Sequence, residues 1–155
     1  EAESEGLASD ITGELSDTVN VVFSYAYVDA GTKTDLYNFD WGVNLAAGSE
    51  LVNVPKNSSN LMLIKDFDVD GAAAMVGFTI NYVDDRLGET IDPSYRLPEY
   101  TLVNLFGSYQ LNGKTKLTMH IDNLFDEKHY VSSYHKWWTT PGSPTSFSLG
   151  VSYAL

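Results

Sequence analysis

Two stretches of this chain hold the residues whose types best suit the capture of a ligand. One contains Tyr37, Phe39 and Trp41. The other reads "DEKHYVSSYHKWWTTPG" and contains Tyr130, Tyr134, Trp137 and Trp138. Large rings with an apolar body and a polar edge suit a flat, partly apolar ligand. The same rings also suit loop packing, or anchoring where surroundings change from oil to water.

The other constellations are weaker. His129 and His135 could ligate a metal, but their spacing in a loop is not diagnostic, and rim positions are the expectation. His120 stands beside Asp122 on the polar side of an alternating run, where a hydrogen bond is expected. "DFDVDG" places Asp66, Asp68, Asp70 and Gly71 like the start of a calcium loop, but the position that needs a bidentate Glu is Gly77, so the match fails and a hairpin turn is expected. No Ser-His-Asp arrangement and no Gly-rich phosphate loop after a strand can be proposed. An enzyme is therefore not expected, and neither a bound cofactor nor a metal site.

Bulk composition narrows the classes further. The 155 residues are enough for one segment of ordinary domain size. Acidic residues outnumber basic ones 21 to 9, for a net charge of -12, which argues against nucleic acid as a partner. There is no cysteine, hence no disulfide framework, thiolate site or thiol nucleophile. The opening "EAESEGLASD" is acidic and unlike a signal peptide. A transmembrane helix needs about 18 or more apolar residues, and no such run exists, whereas a membrane strand needs only about 9–11 in alternation.

The elements that position the rings follow a period of two. Val19, Val21, Phe23, Tyr25 and Tyr27 share one face, and Asn20, Ser24 and Ala26 the other. The same alternation sets Val76, Phe78, Ile80 and Tyr82 against Met75, Gly77, Thr79 and Asn81; Val103, Leu105, Tyr109 and Leu111 against Asn104, Ser108 and Gln110; and Leu117, Met119 and Ile121 against Lys116, Thr118 and His120. In the last run, Phe147, Leu149, Val151, Tyr153 and Leu155 alternate with serines, Gly150 and Ala154. Weaker runs at 6–16 and 58–67 bring the expected strand count to seven. Lys65 interrupts the apolar face of the second of these.

Connections alternate as well. Tight turns are expected at 16–18, 68–71 and 111–114, with Gly and Asn supplying unusual dihedrals in the latter two. Long loops are expected at 30–56, 84–98 and 126–144. Strict alternation of short and long is the habit of an outer-membrane β-barrel, with short periplasmic turns and long extracellular loops. Aromatics mark both ends of the apolar band: Tyr27, Tyr82, Phe125 and Phe147 toward the long loops, and Phe67, Tyr109 and Tyr153 toward the short turns. They read as two membrane girdles. The small residues of the opposite face would leave a narrow barrel hollow, so a wide lumen is expected. Seven strands also look incomplete, because such barrels favour even counts.

"SYAYVDA", "NVPKNSSNLML", "LPEYTLVNLFGSYQLN", "LTMHIDNLFDEKHYVSSY" and "PGSPTSFSLGVSYAL" in succession resemble the carboxy-terminal end of TonB-dependent outer-membrane receptors, the ferric-siderophore type in particular. The likeness covers nearly the whole chain and is most specific from Leu97 to Leu155. It implies about seven antiparallel strands of a 22-stranded barrel whose lumen is closed by an amino-terminal plug. It also implies a transported ferric siderophore, with the loop rings as its contacts. The implied partners are outer-membrane lipid, the rest of the barrel and its plug, the TonB complex acting through that plug, and the barrel-assembly machinery reading the last strand.

Two departures stand against the family pattern. No plug or TonB-contacting box is found in residues 1–155, which read as a single barrel segment, either a fragment or a truncated product not expected to transport by itself. Leu155 stands where the family usually ends in Phe or Trp, although Val151 and Tyr153 keep the alternation. Two other readings of the same pattern are a small stand-alone outer-membrane barrel with a structural or adhesive role, and a soluble β-sandwich that binds carbohydrate.

Overall fold

A computed structural model describes residues 1–39 and 42–154 of the chain. Trp41, and with it one expected ring of the first loop, lies outside the described residues, as does Leu155. Among the described residues there is no helix. In chain order the strands are β1 (Ala2–Ser16), β2 (Val19–Thr32), β3 (Leu36–Asn38), β4 (Val43–Leu45), β5 (Asn57–Val69), β6 (Ala72–Val83), β7 (Arg86–Leu87), β8 (Arg96–Leu97), β9 (Tyr100–Asn112), β10 (Thr115–Asp122), β11 (Tyr130–His135), β12 (Trp138–Pro141) and β13 (Ser146–Tyr153).

Seven of these form one antiparallel sheet in the order β1-β2-β5-β6-β9-β10-β13, so each long strand pairs with the next long strand in the chain. Register carries the apolar rows across the whole sheet. Ile11 pairs with Phe23, Phe23 with Leu61, Leu61 with Ile80, and Ile80 with Val103. Farther along, Leu105 pairs with Ile121 and Ile121 with Phe147. Paired residues of an antiparallel sheet point to the same side, and a slip of one residue would reverse the face. The polar row is equally continuous: Asp10, Ser24, Asn60 and Asn81 are successive partners, as are Phe106, His120 and Ser148. The sheet is open at β1 and β13, as part of a barrel wall would be.

The short turns are built as the sequence suggests, with one exception. At the β5–β6 turn Asp70 and Gly71 both adopt positive φ, 53° and 83°, the pair that a primed two-residue turn requires. The Asp68 carboxylate accepts the Gly71 N–H at 2.6 Å, so the acidic run closes a hairpin. At the β9–β10 turn neither Asn112 nor Gly113 takes a positive φ. There the Asn112 side-chain oxygen accepts the N–H groups of Lys114 and Thr115, both at 3.0 Å, and closes the turn instead.

The "DNLFD" break has its own physical account. Asn123 turns left-handed at φ 50° and Asp126 at φ 52°. The Asn123 amide donates to the carbonyls of Glu127 and Ser143, both at 3.0 Å, while its oxygen accepts Glu127 N–H at 2.8 Å. Its main-chain oxygen accepts the Thr145 hydroxyl at 2.6 Å. One short side chain thus stops β10 and ties its exit to the entry of β13.

Two expectations are corrected here. β2 runs to Thr32, three residues into the expected loop, and each long connection carries a two-stranded ribbon: β3–β4, β7–β8 and β11–β12. The His120 ring stacks on Phe106, with centroids 6.3 Å apart. The buried apolar residues among those described lie mostly outside the sheet. They are Ala74, Leu87 and Leu97, the last two on the β7–β8 ribbon.

Candidate functional site

The three long connections form one cap, and they form it mainly through polar contacts. Leu97 and Glu89 are each 1 % exposed and Arg86 is 2 % exposed, so the second loop is the floor of this cap. Its backbone is anchored by Gly88 N–H to the Tyr95 carbonyl at 2.9 Å, beside the β7–β8 pairing of Arg86 with Leu97.

The first loop reaches across through Asn53, which sits at φ 64°. Its backbone N–H donates to the Leu87 carbonyl at 2.9 Å. Its side chain accepts Ser133 N–H at 2.8 Å and donates to the Ser133 carbonyl at 2.7 Å. Glu50 of the same loop meets Arg96 at 2.8 Å, and Asp85 flanks that guanidinium on its other side. The Glu50 and Asp85 hydrogen bonds hold Arg96 above the usual arginine range.

The second loop grips the third. Arg86 donates from one nitrogen to the carbonyls of Tyr130 and Val131, at 2.6 and 3.0 Å. Its guanidinium also lies 5.6 Å from the centre of the Tyr100 ring. Glu89 accepts the Lys136 N–H at 2.8 Å, and the same oxygen lies 3.4 Å from His135 Nε2. Tyr95 shares a hydrogen bond of 2.7 Å with Thr139. The second nitrogen of Arg86 and the second oxygen of Glu89 are buried without a hydrogen-bond partner among the described residues.

His129 and His135 are buried in this cap, so the expectation of rim positions is corrected. His129 packs on Tyr100 with centroids 4.7 Å apart. A Cβ at Gly142 would fall on the His129 ring, so that close approach requires glycine. Among the described residues no group of three His, Asp or Glu could hold a metal. At the foot of the cap the Asn57 amide donates to Asp84 at 2.7 Å, and this bond chiefly holds the Asp84 carboxyl below its usual range. The Ser94 hydroxyl does the same for Asp92.

The expected rings among the described residues are exposed on this cap. Tyr37 and Phe39 meet edge to face, with centroids 4.9 Å apart. Tyr134 and Trp138 stack at 6.1 Å, and Trp137 lies 5.0 Å from the His135 ring. Phe39 is 88 % exposed and Trp137 is 81 % exposed, while Tyr130 is exposed as well. Asn53, Arg86 and Glu89, which hold the third loop in place, were missed by the sequence reading. A usable signal existed: both arginines of the chain occur as Arg-Leu, at 86–87 and 96–97, and these four residues are the β7–β8 ribbon.

Of the residues expected at the girdles, Tyr27, Tyr82 and Phe147 lie near the long-loop ends of their strands, and Phe67, Tyr109 and Tyr153 toward the short turns. Phe125 lies just beyond β10 and is exposed.

Comparison with known proteins agrees with this architecture. Residues 1–124 match the family model described as "TonB dependent receptor-like, beta-barrel". The metal-pseudopaline receptor CntO of Pseudomonas aeruginosa is 36 % identical over 154 residues, which cover 97 % of this chain and 20 % of that protein. The ferrichrome outer membrane transporter/phage receptor of Escherichia coli is 26 % identical over 88 % of this chain and 18 % of its own length. The chain thus spans about a fifth of the length of these curated relatives. Among solved structures, the siderophore receptor PiuA of Acinetobacter baumannii superposes with a TM-score of 0.80 at 22 % identity, covering 98 % of this chain and 22 % of that one. BauA, the ferric preacinetobactin receptor of the same species, gives 0.76 at 19 % identity, with 98 % and 22 % covered. The all-strand sheet, its two continuous faces, its alternating short and long connections and the family match lead to one conclusion: this chain belongs to the TonB-dependent receptors, as a segment of their outer-membrane β-barrel.

Proposed function

We propose that this chain supplies part of the wall and three outer loops of a receptor that takes up a metal chelate, of the ferric-siderophore class, across the outer membrane. The observation that carries the reading is the display of exposed rings on a buried polar cap, with Tyr134 and Trp138 stacked at 6.1 Å. Rings held in the open suit a flat, partly apolar chelate, and they contribute most where they are fixed in advance. The ligand contacts are then Tyr37, Phe39, Trp41, Tyr130, Tyr134, Trp137 and Trp138. The name of the CntO relative, a metal-pseudopaline receptor, supports extending the ligand class to chelates of metals other than iron.

In this reading the apolar face meets outer-membrane lipid. Tyr27, Tyr82, Phe125 and Phe147 lie at its outer girdle, and Phe67, Tyr109 and Tyr153 at its inner one. The polar face meets the plug, through which TonB delivers energy. The last strand is the element offered to the barrel-assembly machinery.

The test uses the intact receptor in cells and a panel of radiolabelled ferric chelates, with metal-exchanged forms alongside. At least one chelate should bind with saturable affinity. Tyr134→Ala combined with Trp138→Ala should weaken that binding roughly tenfold or more at unchanged surface level, as expected when anchoring rings are removed. Binding of no chelate in the panel, or an unchanged affinity in the double variant, would overturn the reading.

A further inference from the structure

We infer that Asn53, Arg86 and Glu89 are positioning residues that hold the aromatic display of the third loop by its backbone. The inference rests on the proposed role of Tyr134, Trp137 and Trp138 as ligand contacts. Each of the three grips main-chain atoms of the β11–β12 ribbon. Asn53 takes both main-chain polar atoms of Ser133, at 2.8 and 2.7 Å. Arg86 takes the carbonyls of Tyr130 and Val131. Glu89 takes the N–H of Lys136 at 2.8 Å. Grips on both sides of Tyr134, and one immediately before Trp137, fix where those rings point.

Burial makes these grips effective. Arg86 and Glu89 are 2 % and 1 % exposed, so competing water is excluded from their bonds. The gripped ribbon residue Ser133 is also buried, while its neighbours Tyr134, Trp137 and Trp138 are exposed. The ribbon therefore has a held side made of backbone and a displayed side made of rings. Because the grips read backbone, they do not depend on which side chains are displayed. Asn53 of the first loop and Arg86 and Glu89 of the second thus act as the mount for the rings of the third.

The test places a nitroxide label at Trp137→Cys in the intact receptor, in a background without other reactive thiols. The parent should give an immobilised spectrum. Asn53→Ala and Glu89→Ala should each release it, and Glu89→Gln, which keeps an acceptor for Lys136 N–H, should restore most of the immobilisation. Tyr134→Ala with Trp138→Ala should leave the label immobile. In unlabelled receptor, Asn53→Ala should weaken chelate binding roughly tenfold, the scale of a lost buried hydrogen-bond partner. Labels that stay immobile in both Asn53→Ala and Glu89→Ala would overturn the inference. So would release by the ring variant alone, which assembles without touching the grips. If the grip variants release the label but binding is unchanged, the grips stand and the ring-contact reading of function fails.

Discussion

The side-chain oxygen of Asn104, in the middle of the sheet, accepts the backbone N–H of Asn123 at 2.8 Å. Asn104 in turn donates to the Thr79 hydroxyl at 3.0 Å, and the Asn60 amide donates to Asn81 on the same face. A row of amides and hydroxyls on the polar face thus ends at the residue that stops β10. The barrel wall and the foot of the third loop are one hydrogen-bonded unit.

Asn123 is therefore the position at which a small change should cost most. Asn123→Gly keeps the left-handed backbone and removes the side-chain bonds to Glu127 and Ser143. It should lower stability by roughly 1–3 kcal/mol, the cost of leaving buried partners unpaired. Asn123→Ala adds backbone strain at φ 50° and should cost more. Urea unfolding of the receptor in lipid vesicles measures both. Equal stability of the two variants would show that the left-handed turn contributes nothing.

The face assignment makes a sharper statement about β13. Val151 is 71 % exposed on the apolar face and pairs with Leu117, whereas Ser152 pairs with Lys116 on the polar face. Val151→Arg should cost roughly 2–4 kcal/mol near the bilayer midplane, and Ser152→Arg much less. Single cysteines at 148 through 153 in a plug-deleted barrel should react with a water-soluble thiol reagent at even positions over odd. Uniform labelling, or odd positions leading, would remove β13 from the membrane.

Much of this was legible in the sequence, for a physical reason. A strand with one face in lipid and the other in water must alternate, so β2, β6, β9, β10 and β13 announced themselves and their faces. Asp70-Gly71 announced its hairpin through the dihedrals it needs. The three ribbons of the cap gave no such signal. β7 and β8 have two residues each, too few for a period, and they are tied down by Asn53 and Tyr130, far away in sequence. Asn53 and Ser133 are 80 positions apart, and nothing local to either foretells the bond. The loop rings were legible as residues, but their places on the cap were not, because these depend on how the ribbons seat.

Orientation can be read on living cells. Gly142 lies in the connection before β13, and Gly113 in the β9–β10 turn at the other end of the sheet. An epitope inserted after Gly142 should be detected on intact cells, and one inserted at Gly113 should be detected only after the outer membrane is opened. Detection at Gly113 on intact cells would invert the topology.

Acid should loosen the foot of the second loop. The Asn57 amide chiefly holds Asp84 below its ordinary value of 3.8. A depressed carboxylate stabilises the folded state fully above its unfolded value, and that contribution is lost as pH falls through the lower, folded one. Hydrogen-exchange protection over residues 84–99, corrected for intrinsic rates, should therefore fall below about pH 4. Asp84→Asn should remove part of that fall. An identical acid profile in the variant would assign the change to other carboxylates.

Pairing each long strand with the next in sequence makes two strands, not one, the unit by which such a wall can lengthen or shorten. Tyr25 pairs with Ser59, Ser59 with Tyr82, and Tyr82 with Thr101. Excising β5 and β6 together would leave β2 and β9 antiparallel, with Tyr25 and Thr101 still on one side. Excising β5 alone would set β2 and β6 parallel and strand the short turns at the wrong rim. Duplication or loss of whole hairpins preserves both surfaces at once, so a barrel of this kind can change circumference over evolutionary time only in even steps.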